Sequence, residues 1–112
     1  AKLDADAAFK AGEFSKAVEL YTTAIAENAK NGTNPKHVLL SNRSACHAKL
    51  QQWDKALEDA KNCIIANSSF AKGFSRKGAA LHGKGDYAGA AQAYQRALDL
   101  EANNETFKQG LA

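Results

Sequence analysis

Tyr87-Ala88-Gly89-Ala90-Ala91-Gln92-Ala93-Tyr94-Gln95-Arg96-Ala97-Leu98 carries a spacing that recurs along the chain. It opens on an aromatic residue. Ala90, Tyr94 and Ala97 follow at steps of three, four and three, which is one face of an α-helix. The pattern occurs twice more upstream. Phe14 leads to Ala17, Tyr21 and Ala24, and Trp53 leads to Ala56, Ala60 and Cys63. The second and third copies lie 34 residues apart; the first and second lie 39 apart, which is 34 plus an insertion of five. Repetition at a fixed period of this length marks a stack of helical units, none of which buries enough apolar surface alone.

Working outward, a shorter helix (A) precedes each of these helices (B). The turns between them fall at Gly12-Glu13, Gln51-Gln52 and Gly85-Asp86. The pattern predicts seven helices, at roughly 2–11, 14–28, 36–50, 53–66, 70–83, 87–100 and a cap from about 104. Asn31-Gly32-Thr33-Asn34-Pro35 is the long loop that holds the inserted residues. Ala17, Ala56 and Ala90 let A and B helices approach, while Tyr21, Tyr94, Trp53, Phe14 and Tyr87 fill the gaps between layers. The expected organisation is one all-α domain over 1–112: repeats at about 1–30, 36–68 and 70–103, then a capping helix at about 104–112.

Composition agrees with this and excludes several classes. Alanine is abundant and β-branched residues are sparse, which favours helices. No apolar run approaches the roughly 20 residues of a membrane span. A net charge of +3 on 112 residues is too mild to argue for a nucleic-acid partner. Cys46 and Cys63 are far apart in sequence and sit inside helical patterns. They read as buried, reduced thiols of a cytoplasmic protein. With no methionine, and an end inside a plausible helix, the chain reads as a monomeric domain of something longer.

No catalytic constellation, metal site or cofactor motif emerges. His37, His47 and His82 have no partner at a triad spacing. Cys46 and His47 are consecutive, so on a helix they point about 100° apart and make a poor metal pair. Gly83-Lys84-Gly85 lacks the strand and the full glycine pattern of a phosphate loop. Glu58, Asp59 and Asp99 read as solvent-facing residues of B helices. The A helices carry more. Lys72 and Arg76 are four apart and stack on one face, either as a fork for a carboxylate or as a solvated basic face. In a right-handed stack the A helices line the concave side. There Lys2 and Asn42 join Lys72 and Arg76, giving a basic groove with an amide between its cations.

The 34-residue period with its small-aromatic-small helix resembles the tetratricopeptide repeat, over nearly the whole chain. Ser41-Asn42-Arg43-Ser44-Ala45 together with Lys72-Gly73-Phe74-Ser75-Arg76 is similar to the two-carboxylate clamp of co-chaperones. More narrowly, Leu40 to Cys46 and Leu100 to Leu111 resemble the first repeat domain of the Hsp-organising protein (stress-inducible, Hop-type) family. The resemblance implies a right-handed superhelical solenoid. It also implies an adaptor without enzymatic activity, which binds the C-terminal Glu-Glu-Val-Asp of heat-shock protein 70, or possibly of heat-shock protein 90. The clamp positions would be Lys2, Asp6, Asn42, Lys72 and Arg76, with Ala45, Ala48 and Lys49 forming a pocket for the residues just upstream. Four of the five clamp positions match; Asp6 stands where the family has asparagine. Ionised aspartate only accepts hydrogen bonds. Asp6 would therefore weaken the clamp, pair with Lys2 four residues away, or simply favour the helix N-terminus. Similar domains also dock ubiquitin ligases, prolyl isomerases and a phosphatase to chaperones. A scaffold for an internal peptide is a third reading.

Overall fold

In a computed structural model of the chain, residues 2–31 and 35–101 are described. They form six helices: α1 (Lys2–Lys10), α2 (Phe14–Asn31), α3 (Lys36–Lys49), α4 (Trp53–Ala66), α5 (Ala71–Gly83) and α6 (Tyr87–Leu100). Successive helices pack against one another, and α3 also contacts α5, so the pairs α1–α2, α3–α4 and α5–α6 stack in sequence. The expected capping helix falls outside the described residues. Helix α2 runs three residues beyond the expected end at 28, since no glycine or proline interrupts the chain before Gly32.

Each A helix stops in the same way. The N–H of Glu13 bonds the Ala8 carbonyl at 2.9 Å and that of Gly12 bonds Phe9 at 3.1 Å. The same two bonds recur as Gln52 to His47 with Gln51 to Ala48, and as Asp86 to Leu81 with Gly85 to His82. This paired closure is the Schellman motif, and it needs a left-handed residue at its centre. Gly12 at φ 79° and Gly85 at φ 87° supply it at no steric cost; Gln51 adopts it at φ 59°. Other boundaries are set by side chains. Asp86 caps α6 by accepting from the Gly89 N–H at 2.9 Å. Pro35 precedes α3, with a φ that suits a helix start.

The core follows the repeated face. Ala17, Tyr21, Ala24, Ala56, Ala60, Cys63, Ala90 and Ala97 are all buried. Small residues on the A helices receive large ones from B helices. A Cβ at Gly78 would lie 2.8 Å from the Tyr94 ring, and one at Gly83 would collide with the Trp53 indole. Phe14 packs edge-on against Phe9, at 5.8 Å between centroids.

Two expectations need correction. Tyr87 does not fill a gap between layers: it is 64% exposed, with its ring edge-on to His82 at 5.0 Å between centroids. Trp53 is covered by α5, the next A helix; Tyr87 opens the last described helix, so no described helix follows to cover it. Asp59 does not face solvent. It is 4% exposed and holds Arg43 in a two-point fork, Nε to Oδ2 at 2.8 Å and Nη2 to Oδ1 at 2.7 Å. His47 Nε2 stands 3.6 Å from the same carboxylate, and Arg43 also donates to Thr22 on α2 at 3.2 Å. One charged contact thereby ties α2, α3 and α4 together. Glu58 and Asp99 are exposed, as expected.

Candidate functional site

Helix α5 is held at a fixed rotation by its small residues. Gly73 sits against Cys63 and Ile64 of α4, where a Cβ would meet the two side chains at 3.1–3.2 Å. Gly78 accepts the Tyr94 ring of α6 on another face. With both flanks of α5 closely packed, Arg76 is directed into a cavity of about 210 Å³. Its walls are Asp6, Phe9 and Lys10 of α1, Tyr21 of α2, Asn42 of α3, and Arg76 itself.

Arg76 is the most unusual group there. Burial lowers its pKa, opposed in part by Cys46, Cys63 and Tyr94 nearby. Its buried Nε–H has no acceptor among the described residues. A buried donor left unpaired carries a desolvation cost that an incoming acceptor would relieve. Across the cavity the groups are already engaged. Lys2 Nζ donates to Asp6 Oδ2 at 2.8 Å, Tyr21 donates its hydroxyl to Asp6 Oδ1, and the Asn42 amide hydrogen-bonds Tyr21. Burial alone would raise the Asp6 pKa. The bonds from Lys2 and Tyr21, with the charges of Lys2 and Lys10, outweigh it and hold Asp6 below its ordinary value. Tyr21 moves the opposite way, raised first by burial and then by Asp6.

Of the residues singled out in sequence, the cavity unites Asp6, Asn42 and Arg76, with Lys2 attached through its ion pair to Asp6. Of the three readings of Asp6, the pairing with Lys2 is the one observed. Lys72 is exposed on α5 one turn before Arg76, and it is not a wall of this cavity. Neither are Ala45, Ala48 and Lys49. Ala45 is buried, Ala48 half-buried and Lys49 exposed. Phe9, Lys10 and Tyr21 line the cavity although the sequence reading gave them no part in it. For Lys10 the signal was present, since Lys2, Asp6 and Lys10 recur every four residues along α1. Tyr21 belonged to the packing face, and its hydroxyl leaves that face to reach α1. Among the described residues, no group of three metal-ligating side chains comes together.

No protein-family model matches the chain. Solved structures do. The Sgt2 TPR domain from Aspergillus fumigatus superposes with a TM-score of 0.86 at 36% identity, over 98% of this chain and 71% of that one. The chain belongs to the tetratricopeptide repeat family. Another tetratricopeptide repeat domain, the second of human RPAP3, was solved in complex with the HSP70 peptide SGPTIEEVD. It superposes with a TM-score of 0.86 at 31% identity, covering 98% of this chain and 88% of its own. In sequence, this tetratricopeptide repeat chain is 45% identical over 112 residues to the Hsp70-Hsp90 organizing protein of Triticum aestivum, matching all of its own length but only 18% of that protein. No helix among the described residues is long and apolar enough to cross a membrane.

Proposed function

We propose that this domain is a non-enzymatic co-chaperone adaptor of the cytoplasm. It captures the free C-terminus of an acidic peptide, the Glu-Glu-Val-Asp tail of heat-shock protein 70 or heat-shock protein 90. The observation that carries the reading is Arg76, whose buried Nε–H lacks an acceptor among the described residues and which shares a cavity with Asn42. A terminal carboxylate offers two oxygens to a guanidinium fork, and an amide beside it reaches the peptide main chain. Lys72 adds an exposed cation one turn away, and Lys2 stands on the same side, paired with Asp6. Ala45, Ala48 and Lys49 extend the groove toward the residues upstream. Further support comes from the RPAP3 domain, which has the same fold and holds a peptide with this ending.

Calorimetry with a free-acid peptide ending in Glu-Glu-Val-Asp tests the proposal. Binding is expected near the micromolar range, on the order of −8 kcal/mol, and it should weaken as salt rises. Arg76→Ala should cost about 1.5–3 kcal/mol, because the lost bond is to a charged group. The same peptide with an amidated C-terminus should bind far less well. Equal affinity for the acid and the amide would refute the terminal-carboxylate reading.

A further inference from the structure

Lys2, Asp6 and Lys10 stand four residues apart on one face of α1. Their situations differ. Asp6 is doubly engaged, by Lys2 on one oxygen and by Tyr21 on the other. Lys2 is therefore committed to a carboxylate inside the protein. Lys10 acts on Asp6 only through space and forms no ion pair or side-chain hydrogen bond among the described residues. It nevertheless lines the cavity that holds Asn42 and Arg76.

The charge of the cavity follows. Asp6 is answered by Lys2, which leaves two cations of the cavity without a carboxylate partner among the described residues, Arg76 from α5 and Lys10 from α1. They reach the space from different helices. A ligand with a single carboxylate satisfies one and leaves the other facing it unanswered. A ligand with a second anionic group, set back along the chain, satisfies both. Phe9 stands beside Lys10 in the same wall, and Lys10 itself is exposed, so its ammonium is open to an arriving anion. Lysine suits this place, since its long stem lets a point charge follow a side chain whose position is not fixed by a fork.

We propose that Lys10 forms a second anionic subsite, which takes an acidic side chain of the bound peptide distinct from the terminal carboxylate held at Arg76. The inference rests on the peptide-binding reading above and deepens it. It makes Lys10 a selector for peptides that are acidic upstream of their last residue. Asp6, fixed by Lys2 and Tyr21, leaves that selection to Lys10.

A double-mutant cycle by calorimetry at low salt separates the possibilities. The proteins are the parent domain and Lys10→Gln, each checked for unchanged helicity. The peptides are the free acid ending in Glu-Glu-Val-Asp and two forms with one or the other glutamate changed to glutamine. Lys10→Gln should weaken the parent peptide about threefold to fivefold, the range of a partly exposed charge pair. That loss should vanish for one of the two glutamine peptides and persist for the other. A loss equal for all three peptides would mean a diffuse effect of charge and would overturn the subsite; so would no loss at all. If amidation abolishes binding while Lys10→Gln changes nothing, the terminal-carboxylate reading stands and this inference alone falls. If the parent peptide does not bind the parent domain, both fall together.

Discussion

At the scale of single residues, the contact that matters most to the stack is Arg43 with Asp59. A carboxylate 4% exposed is tolerable only because the guanidinium fork and His47 surround it. The bond to Asp59 also raises the Arg43 pKa against the opposing effect of burial. A buried pair of this kind adds little over apolar residues of the same volume, but breaking it leaves one charge uncompensated. Arg43→Ala should therefore destabilise the domain by about 3–5 kcal/mol, read from the midpoint of urea unfolding. Replacing both residues by apolar ones, Arg43→Met with Asp59→Leu, should recover most of that loss. If Arg43→Ala costs under about 1 kcal/mol, water reaches the carboxylate and the account is wrong. Nothing local in the sequence gave this pair away. The two residues are 16 apart on different helices, and Asp59 looks like any polar residue beside a core alanine. Tyr87 failed in the opposite direction: its repeat position is an interior one, but only a following helix could make it interior.

Among the elements, the A-to-B turns were the most legible, because their geometry is a demand on backbone conformation that glycine answers directly. Gly12 and Gly85 announced two of them. The third was legible only through the 34-residue register, which placed Gln51 where Gly85 stands. The end of α2 was less legible, since stop signals are weak between Asn28 and Gly32. Equivalence of the three turns has an energetic consequence. Gln51 holds φ 59°, a left-handed conformation that costs a side-chain-bearing residue roughly 1–2 kcal/mol. Glycine there removes this strain but gives back part of the gain as greater freedom of the unfolded chain. Gln51→Gly should stabilise the domain by about 0.5–1 kcal/mol net. Gly85→Ala should destabilise it by about 1 kcal/mol. Gly85 has nothing within 4 Å of an added Cβ, so this cost is purely conformational. Thermal midpoints moving in opposite directions are the expected pair; a lower midpoint for Gln51→Gly would show that the Gln51 side chain contributes more than its backbone costs.

For the whole molecule, stacking thin helical layers buries groups that would otherwise titrate, and this sets the pH range of stability. Cys46 and Cys63 are fully buried, and burial lifts both thiols from their ordinary value near 9 to about 11. Tyr94 is likewise raised by burial. Between about pH 9 and 11 the folded chain then holds protons that the unfolded chain has released. Unfolding is favoured there, and stability that is constant below pH 9 falls as pH rises. Each thiol contributes a slope of up to about 1.4 kcal/mol per pH unit. On the acid side the sign reverses through Asp6, whose folded pKa lies below the unfolded 3.8. Its contribution is fully present above that value and is lost as pH falls through the folded one. Urea midpoints should therefore form a plateau from about pH 5 to 8.5, with a steeper loss on the alkaline limb. Cys46→Ala and Cys63→Ala would each lower the plateau by removing packed volume, so the quantity to compare is the drop from pH 7 to pH 10 within each variant. That drop should shrink in both variants and shrink further in the double variant. An alkaline loss that both substitutions leave unchanged would assign it to the phenols of Tyr21 and Tyr94 and remove the thiols from the account.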